Sequence, residues 1–107
     1  MDENKPYRII IADRAVRELR EIHSYIEFEL LEPETADRQL DRIVDAIDTL
    51  AHSPRRNALM QDEYLHKRQI RRLLIDNYFV FYTIDEPLSQ VNIVSIMHGR
   101  REWQSLL

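Results

Sequence analysis

Apolar residues recur at three- and four-residue steps from Val16 to Leu30 and again from Ala36 to Ala51, and Pro33 stands between the two stripes. No other feature constrains the chain as much, because a 3.6-residue period held over that length is an amphipathic helix with one face committed to a core. In the first stretch Val16, Leu19, Ile22 or His23, Ile26 and Leu30 line up behind Asp13, which is placed to cap the helix. In the second, Ala36, Leu40, Ile43, Val44, Ile47, Leu50 and Ala51 follow Pro33, whose fixed φ suits a first helical turn; Ser53-Pro54 ends the run. Two helices so close in sequence make an antiparallel hairpin, and both stripes need something to cover. The other face of the first helix carries Arg14, Arg17, Glu18, Arg20 and Glu21, whose four-spaced ion pairs add only a few tenths of a kcal/mol. It reads as solvated.

What the helices cover is a sheet. Tyr7 to Ile11 is a β-branched and aromatic run that opens the chain as a strand. Arg55 to Arg68 has no period and reads as a loop of functional length. Three strand-like runs follow, Gln69 to Ile75, Tyr78 to Ile84 and Val91 to His98, with Asp76-Asn77 as a two-residue hairpin connection. The order β-α-α-β-β-β defines an α+β fold, an antiparallel helical hairpin packed on one face of a small, mainly antiparallel four-stranded sheet. With 107 residues this is a single domain, 1–107, able to bury roughly 60% of the surface of its unfolded chain. Met1 to Lys5 is expected to lie outside the packed domain.

Composition excludes several kinds of chemistry. There is no cysteine, so thiolate catalysis, disulfides and cysteine-bound zinc are out. One glycine in the whole chain leaves no room for a glycine-rich phosphate loop, and no G-x-S-x-G elbow occurs. His23, His52, His66 and His98 are far apart without an H-x-x-x-H pair, so neither a metal nor a cofactor is expected. Asp37, Asp41 and Asp45 lie at helix spacing beside basic neighbours and read as surface, since acid–base carboxylates need a cleft to separate their pKa values. The start MDENKPYR has no basic or apolar leader region and no run nears the roughly 18 apolar residues of a membrane span. The expectation is a cytoplasmic protein that does not engage a membrane.

The net charge of −4 hides an asymmetry. Up to Pro54 there are 7 basic against 13 acidic residues; from Arg55 on there are 8 against 6, with the basic ones paired as Arg55-Arg56, Lys67-Arg68, Arg71-Arg72 and Arg100-Arg101. Alternation places Arg71 and Arg72 on opposite faces of their strand, so one of them meets the helix side and needs a partner there. His98 shares a face with Ile96 at the end of the last strand. In the strand between them, Tyr78, Val80, Tyr82 and Ile84 share one face and Phe79, Phe81 and Thr83 the other. Arginine forks with an imidazole that titrates near neutrality are a set able to cleave RNA, the histidine as general acid or base and the arginines on the phosphate. The same set also serves as an electrostatic patch that only binds.

The stretch YRIIIADRAVRELREIHSYI, the PETA start of the second helix, QIRRLLIDNYFVFYTID and the terminal VNIVSIMHGRR, in this order, resemble the RelE/ParE superfamily. These are the toxins of type II toxin–antitoxin, or plasmid stabilisation, modules, and the resemblance runs from Tyr7 to about Trp103. It implies growth inhibition, neutralised by a cognate antitoxin whose flexible segment wraps over the toxin, with Phe28, Leu30, Leu31, Trp103, Leu106 and Leu107 as candidate contacts. The RelE-like branch would be a ribosome-dependent mRNA endonuclease, or mRNA interferase. On that reading Arg71, His98 and Arg101 are catalytic: Arg71 matches the meander arginine and Arg101 the arginine after the last strand, while His98 substitutes for a C-terminal tyrosine that WQSLL lacks. The ParE-like branch binds and poisons DNA gyrase without catalytic residues of its own, and Lys67, Arg68, Arg72, Arg100 and Trp103 are then target-binding. The long hairpin, the histidine followed by arginines and the acidic charge favour ParE-like. The alternatives are the RelE-like nuclease, acting on ribosome and mRNA, and a degenerate non-toxic protein that only binds its antitoxin.

Overall fold

The computed structural model describes residues 5–107, so most of the expected loose start, Met1 to Asn4, lies outside the described residues. Its elements in chain order are β1 (Arg8–Ile11), α1 (Asp13–Ser24), α2 (Pro33–Asp48), α3 (Glu63–Lys67), β2 (Arg71–Ile75), β3 (Tyr78–Asp85), β4 (Gln90–His98) and α4 (Trp103–Leu106). Among the described residues no helix is long and apolar enough to cross a membrane.

The sheet has the order β1-β4-β3-β2. β2, β3 and β4 are an antiparallel meander, and β1 joins the β4 edge in parallel, with Ile9 beside Val91 and Ile11 beside Ile93. α1 and α2 cover one face. Ile43, Ile47 and Leu50 of the second stripe pack with Leu73, Val80, Tyr82, Val91, Ile93 and Ile96 in one buried cluster. Each fully buried side chain of this size contributes about 1.5–3 kcal/mol relative to exposure, which is what commits the hairpin to this face. A bulge adapts β4 to this core. Phe81 lies opposite Ser95 but Tyr82 opposite Ile93, so Val94 is an extra residue. Without it Ile93 and Ile96 would point to opposite faces, whereas both belong to the helix-side core.

The second face carries a smaller cluster. Met60, Leu65, Ile70 and Phe81 are buried there, with Phe79, Trp103 and Leu107 packed against them. This is where the segment 55–68, read from sequence as a loop, departs from expectation. It contains α3, whose Asp62 cap accepts a hydrogen bond from the Leu65 N–H at 3.2 Å, and that turn of helix supplies Leu65 to the cluster. β2 consequently starts at Arg71 rather than Gln69, which sits in the left-handed region at φ 59° as the chain leaves α3.

The first helix also ends differently from its periodicity. Asp13 is its first residue rather than its cap, which is Ala12. After Ser24 the backbone widens into a π-helical turn, Tyr25–Glu29, with the Leu30 N–H on the Tyr25 carbonyl at 3.1 Å. Leu31 then takes φ 56°, and the Glu32 N–H returns to the Ile26 carbonyl at 3.1 Å. A left-handed L-residue costs about 1–2 kcal/mol, and no glycine relieves it here. α2 ends as expected, tightening into a 3₁₀ turn at Thr49–Ala51 ahead of Pro54.

Two polar contacts set the frame. The Asp76 carboxylate, in the β2–β3 turn, accepts from Arg42 Nε and from a second Arg42 nitrogen at 2.8 Å each, and from Gln39 Nε2 at 2.9 Å. That ties the hairpin tip to α2. β1 pairs only with Gln90–Ile93, so beyond Ile93 the β4 edge is open, and there Glu18 of α1 accepts from the Ile96 N–H at 3.1 Å and from Ser95 Oγ at 2.8 Å. Glu18 keeps its ion pair with Arg14 at 3.6 Å, but it is not solvated: its side chain is only 14% exposed and it also satisfies the strand edge.

Candidate functional site

The sequence-nominated residues fall into three places. Arg71 lies on the helix side of β2, opposite Tyr82, as alternation requires of one member of the pair. Its partner is neither carboxylate nor phosphate: a guanidinium nitrogen donates to the Asn57 carbonyl at 2.6 Å. Tyr82 is fully buried, donates its hydroxyl to the Pro54 carbonyl at 2.6 Å and accepts from Asn57 Nδ2 at 3.2 Å. Burial pushes the Tyr82 phenol above its ordinary pKa, so it stays a neutral donor. Arg71 and Tyr82 together hold the turn Pro54–Asn57 against the sheet, and Arg55 in that turn pairs with Glu86.

On the outer face lie Arg68, Arg72 and Trp103. Arg72 stacks its guanidinium over the Phe79 ring at 4.2 Å from the centroid. Arg68 sits over Tyr64 at 5.3 Å and donates to the Leu107 carbonyl at 3.0 Å, and Trp103 packs tilted on Phe81 with ring centroids 5.7 Å apart. Lys67, exposed at the end of α3, pairs with Glu63 at 3.6 Å. This face joins cations to aromatic rings, but the C-terminal helix already covers its centre.

The third place is the far end of β4. His98 faces Tyr78 across the strands, the rings edge to face with centroids 5.4 Å apart. Its Nδ1 accepts from the Arg100 N–H at 3.1 Å, and its carbonyl from the Arg101 N–H at 3.0 Å. These backbone bonds fold Gly99–Arg101 back over the strand end, leaving the Arg100 and Arg101 side chains exposed. His98 and Arg101 line a cavity of about 500 Å³ between the strand end and the last turns of α1, with Glu18, Glu21, Tyr25 and Tyr78. Burial, and then the Asp76 charge and Tyr25, raise the Tyr78 phenol above its usual value.

Arg71 and His98 do not converge. Arg71 pairs with Tyr82 and His98 with Tyr78, so four residues of β3, about 13 Å along the strand, separate them, and they flank β3 on opposite sides. Arg101 accompanies His98, not Arg71. The sequence places Tyr78 on one face with Val80 and Tyr82 but gives neither it nor Tyr25 a role beside His98, although the two-residue hairpin fixes the β2–β3 register that brings Tyr78 to the start of β3. Among the described residues no group of three metal-ligating side chains occurs.

A parallel strand added to an antiparallel meander, under a helical hairpin, is the architecture shared with solved toxins. The chain is similar to the chromosomal ParDE system of Pseudomonas aeruginosa (TM-score 0.73, 16% identity, 91% of this chain and 98% of that one). It is also similar to the RelBE2 toxin–antitoxin complex of Mycobacterium tuberculosis (TM-score 0.65, 21% identity, 87% and 91%) and to a mutant Escherichia coli RelE toxin in the free state (TM-score 0.57, 16% identity, 94% and 92%). The fold is thus that of the RelE/ParE superfamily. The family model for the ParE toxin of the type II toxin–antitoxin system parDE matches residues 9–103, and the chain belongs to that family. No curated protein matches it at a significant level.

Proposed function

We propose that this toxin acts by binding, as a ParE-like inhibitor of DNA gyrase, and that a cognate antitoxin neutralises it. The observation that carries the reading is the separation of Arg71 from His98, with Arg71 hydrogen-bonded to the Asn57 carbonyl. General acid–base cleavage of RNA needs the proton-transferring group and the phosphate-binding cations within hydrogen-bond reach of one phosphodiester. Here Arg71 stands about 13 Å along β3 from His98 and on the other flank of that strand, and of the nominated arginines only Arg101 accompanies the histidine. The membership in the ParE family and the net charge of −4 point the same way, since gripping ribosomal RNA rewards a basic protein.

Lys67, Arg68, Arg72, Arg100 and Trp103 are the residues we assign to target binding; of the candidate antitoxin contacts we assign Trp103, Leu106 and Leu107 at the C-terminus to the antitoxin, apart from Phe28, Leu30 and Leu31 at the hairpin tip. The antitoxin partnership is supported by the similar structures, a RelBE2 toxin–antitoxin complex of M. tuberculosis and a chromosomal ParDE system of P. aeruginosa. Growth arrest on expression without an antitoxin, followed across Arg71→Ala, His98→Ala and Arg101→Ala, tests the mechanism. A binder gives graded, salt-sensitive losses. A nuclease loses about a hundredfold or more in turnover at one or more of these positions, and that outcome, seen together with mRNA truncated on translating ribosomes, rejects the gyrase reading. Normal growth on expression rejects toxicity altogether.

A further inference from the structure

The tip of the helical hairpin is built against its own stability. From Glu21 to Asp37 there are six acidic residues and no Lys or Arg, in a chain with 15 of the latter. Glu32 and Glu34 sit at the start of α2, where the helix dipole favours them. Glu27 and Glu29 lie in the closing π-helical turn after α1, without a basic residue, where the same dipole disfavours acids. Large apolar side chains are exposed at the same tip: Tyr25 at 58%, Phe28 at 68%, Leu30 at 52% and Leu31 at 80%, the last in the left-handed region at φ 56°. Unfavourable charge placement, backbone strain and apolar exposure converge on one short segment, where His23 meets Asp37 at 2.8 Å but Glu27 and Glu29 have no basic residue in their turn. Beneath it opens the 500 Å³ cavity walled by Ile22, Tyr25, Leu30, Tyr78 and His98.

We propose that this tip is a docking surface for a basic amphipathic segment of a partner protein, one apolar side chain entering the cavity between Tyr25, Tyr78 and His98 and Lys or Arg residues lying along Glu21, Glu27 and Glu29. Charge decides the class of occupant. A segment rich in Asp and Glu, of the kind suited to the arginines of the outer face, would be repelled by the acidic rim, whereas a basic one is drawn to it and desolvates the aromatic walls on seating. Among the cavity's polar groups Glu18 and Glu21 stand on the α1 side and Tyr78 offers a neutral phenol, against Arg101 at the strand end. The surface is thus separate from Arg68, Arg72 and Trp103, and the inference stands whether or not gyrase is the target.

The test uses the purified chain and two short fluorescein-labelled peptides, each with Leu and Phe on one helical face, one carrying Lys on the other face and one Glu. By fluorescence anisotropy the Lys peptide should bind at least about tenfold tighter than the Glu peptide at low salt, the gap closing as salt screens the charges. Phe28→Ser and Leu31→Ser, both at exposed positions and checked for intact folding by circular dichroism, should each weaken it about tenfold. Glu27→Lys with Glu29→Lys should abolish the preference for Lys. Equal binding of the two peptides, preference for the Glu peptide, or no binding of either overturns the proposal. So does self-association of the wild-type chain in sedimentation that Leu31→Ser removes, which would give the tip to a second copy.

Discussion

The Glu18 carboxylate accepts a hydrogen bond from the Ile96 N–H at 3.1 Å, which joins the middle of α1 to the strand edge that β1 leaves open. Ser95 Oγ, fully buried, donates to the same carboxylate. Removing the acceptor strands two buried donors, and an unsatisfied buried group costs about 1–3 kcal/mol. Glu18→Ala should therefore lower stability by about 2–3 kcal/mol, a fall in Tm on the order of 10 °C for a domain of this size. Glu18→Gln keeps one carbonyl acceptor and should lose roughly half as much. Thermal unfolding followed by circular dichroism checks both, and Glu18→Ala unfolding within about 2 °C of wild type would contradict the edge-capping role.

Asp76 makes stability depend on acid. Its hydrogen bonds from Arg42 and Gln39 hold its carboxyl at a pKa of about 2, below the ordinary carboxylate range. As pH falls the unfolded chain takes up this proton first, so the contribution is complete above about pH 4 and is lost as pH falls through about 2. The pair is solvent-exposed, so screening keeps its net worth at neutral pH small. Asp76→Asn should be less stable than wild type at pH 7, with the two urea midpoints converging near pH 2. The difference should also shrink in high salt, and midpoints that stay parallel across that range would contradict the assignment.

Leu31 carries a backbone cost that glycine would not. Leu31→Gly should stabilise the fold by about 1 kcal/mol, since the side chain is 80% exposed and little packing is lost. The same change should weaken docking of the basic peptide. Denaturant unfolding beside the anisotropy titration separates the two effects, and a destabilised Leu31→Gly would mean that the leucine packs in solution.

Arg71 and Tyr82 hold one turn and should behave as a unit. Tyr82→Phe removes a hydroxyl that donates to the Pro54 carbonyl and accepts from Asn57, and should cost about 1 kcal/mol. Arg71→Ala frees the Asn57 carbonyl of the same turn. Once either change has released the turn, the other has less to remove, so the double variant should be less destabilised than the two single effects added together, by about 0.5 kcal/mol or more. Strict additivity would show that the two residues act independently.

The helices and the meander are legible in the sequence because their periods are strong: Ile43, Ile47 and Leu50 of the Ala36 to Ala51 stripe pack on the sheet, and the alternation Tyr78, Val80, Tyr82 against Phe79 and Phe81 separates the two cores. Contacts made between distant parts of the chain leave no local mark. Four-residue spacing shows Glu18 as the partner of Arg14, which it is, but not the strand edge above it that takes the same carboxylate. α3 is hidden because one turn of helix has too few residues to show a period. Leu31 is hidden for another reason: glycine or asparagine usually announces a left-handed residue, and here neither does. At the candidate site alternation puts Arg71 and Arg72 on opposite faces, yet Arg71 lies beside the middle of β3 and His98 beside its first residue, a separation that only the strand pairing reveals.

Binding without cleavage is what separates a gyrase poison from an mRNA nuclease, and supercoiling of relaxed plasmid by purified DNA gyrase, titrated with the purified chain, distinguishes the two. Supercoiling should fall as the chain approaches gyrase in amount, with cleaved DNA trapped on the enzyme, and added salt should relieve the inhibition. Undiminished supercoiling at a large excess of folded chain, with mRNA truncated when the same preparation meets translating ribosomes, would contradict the assignment of this toxin as a binder.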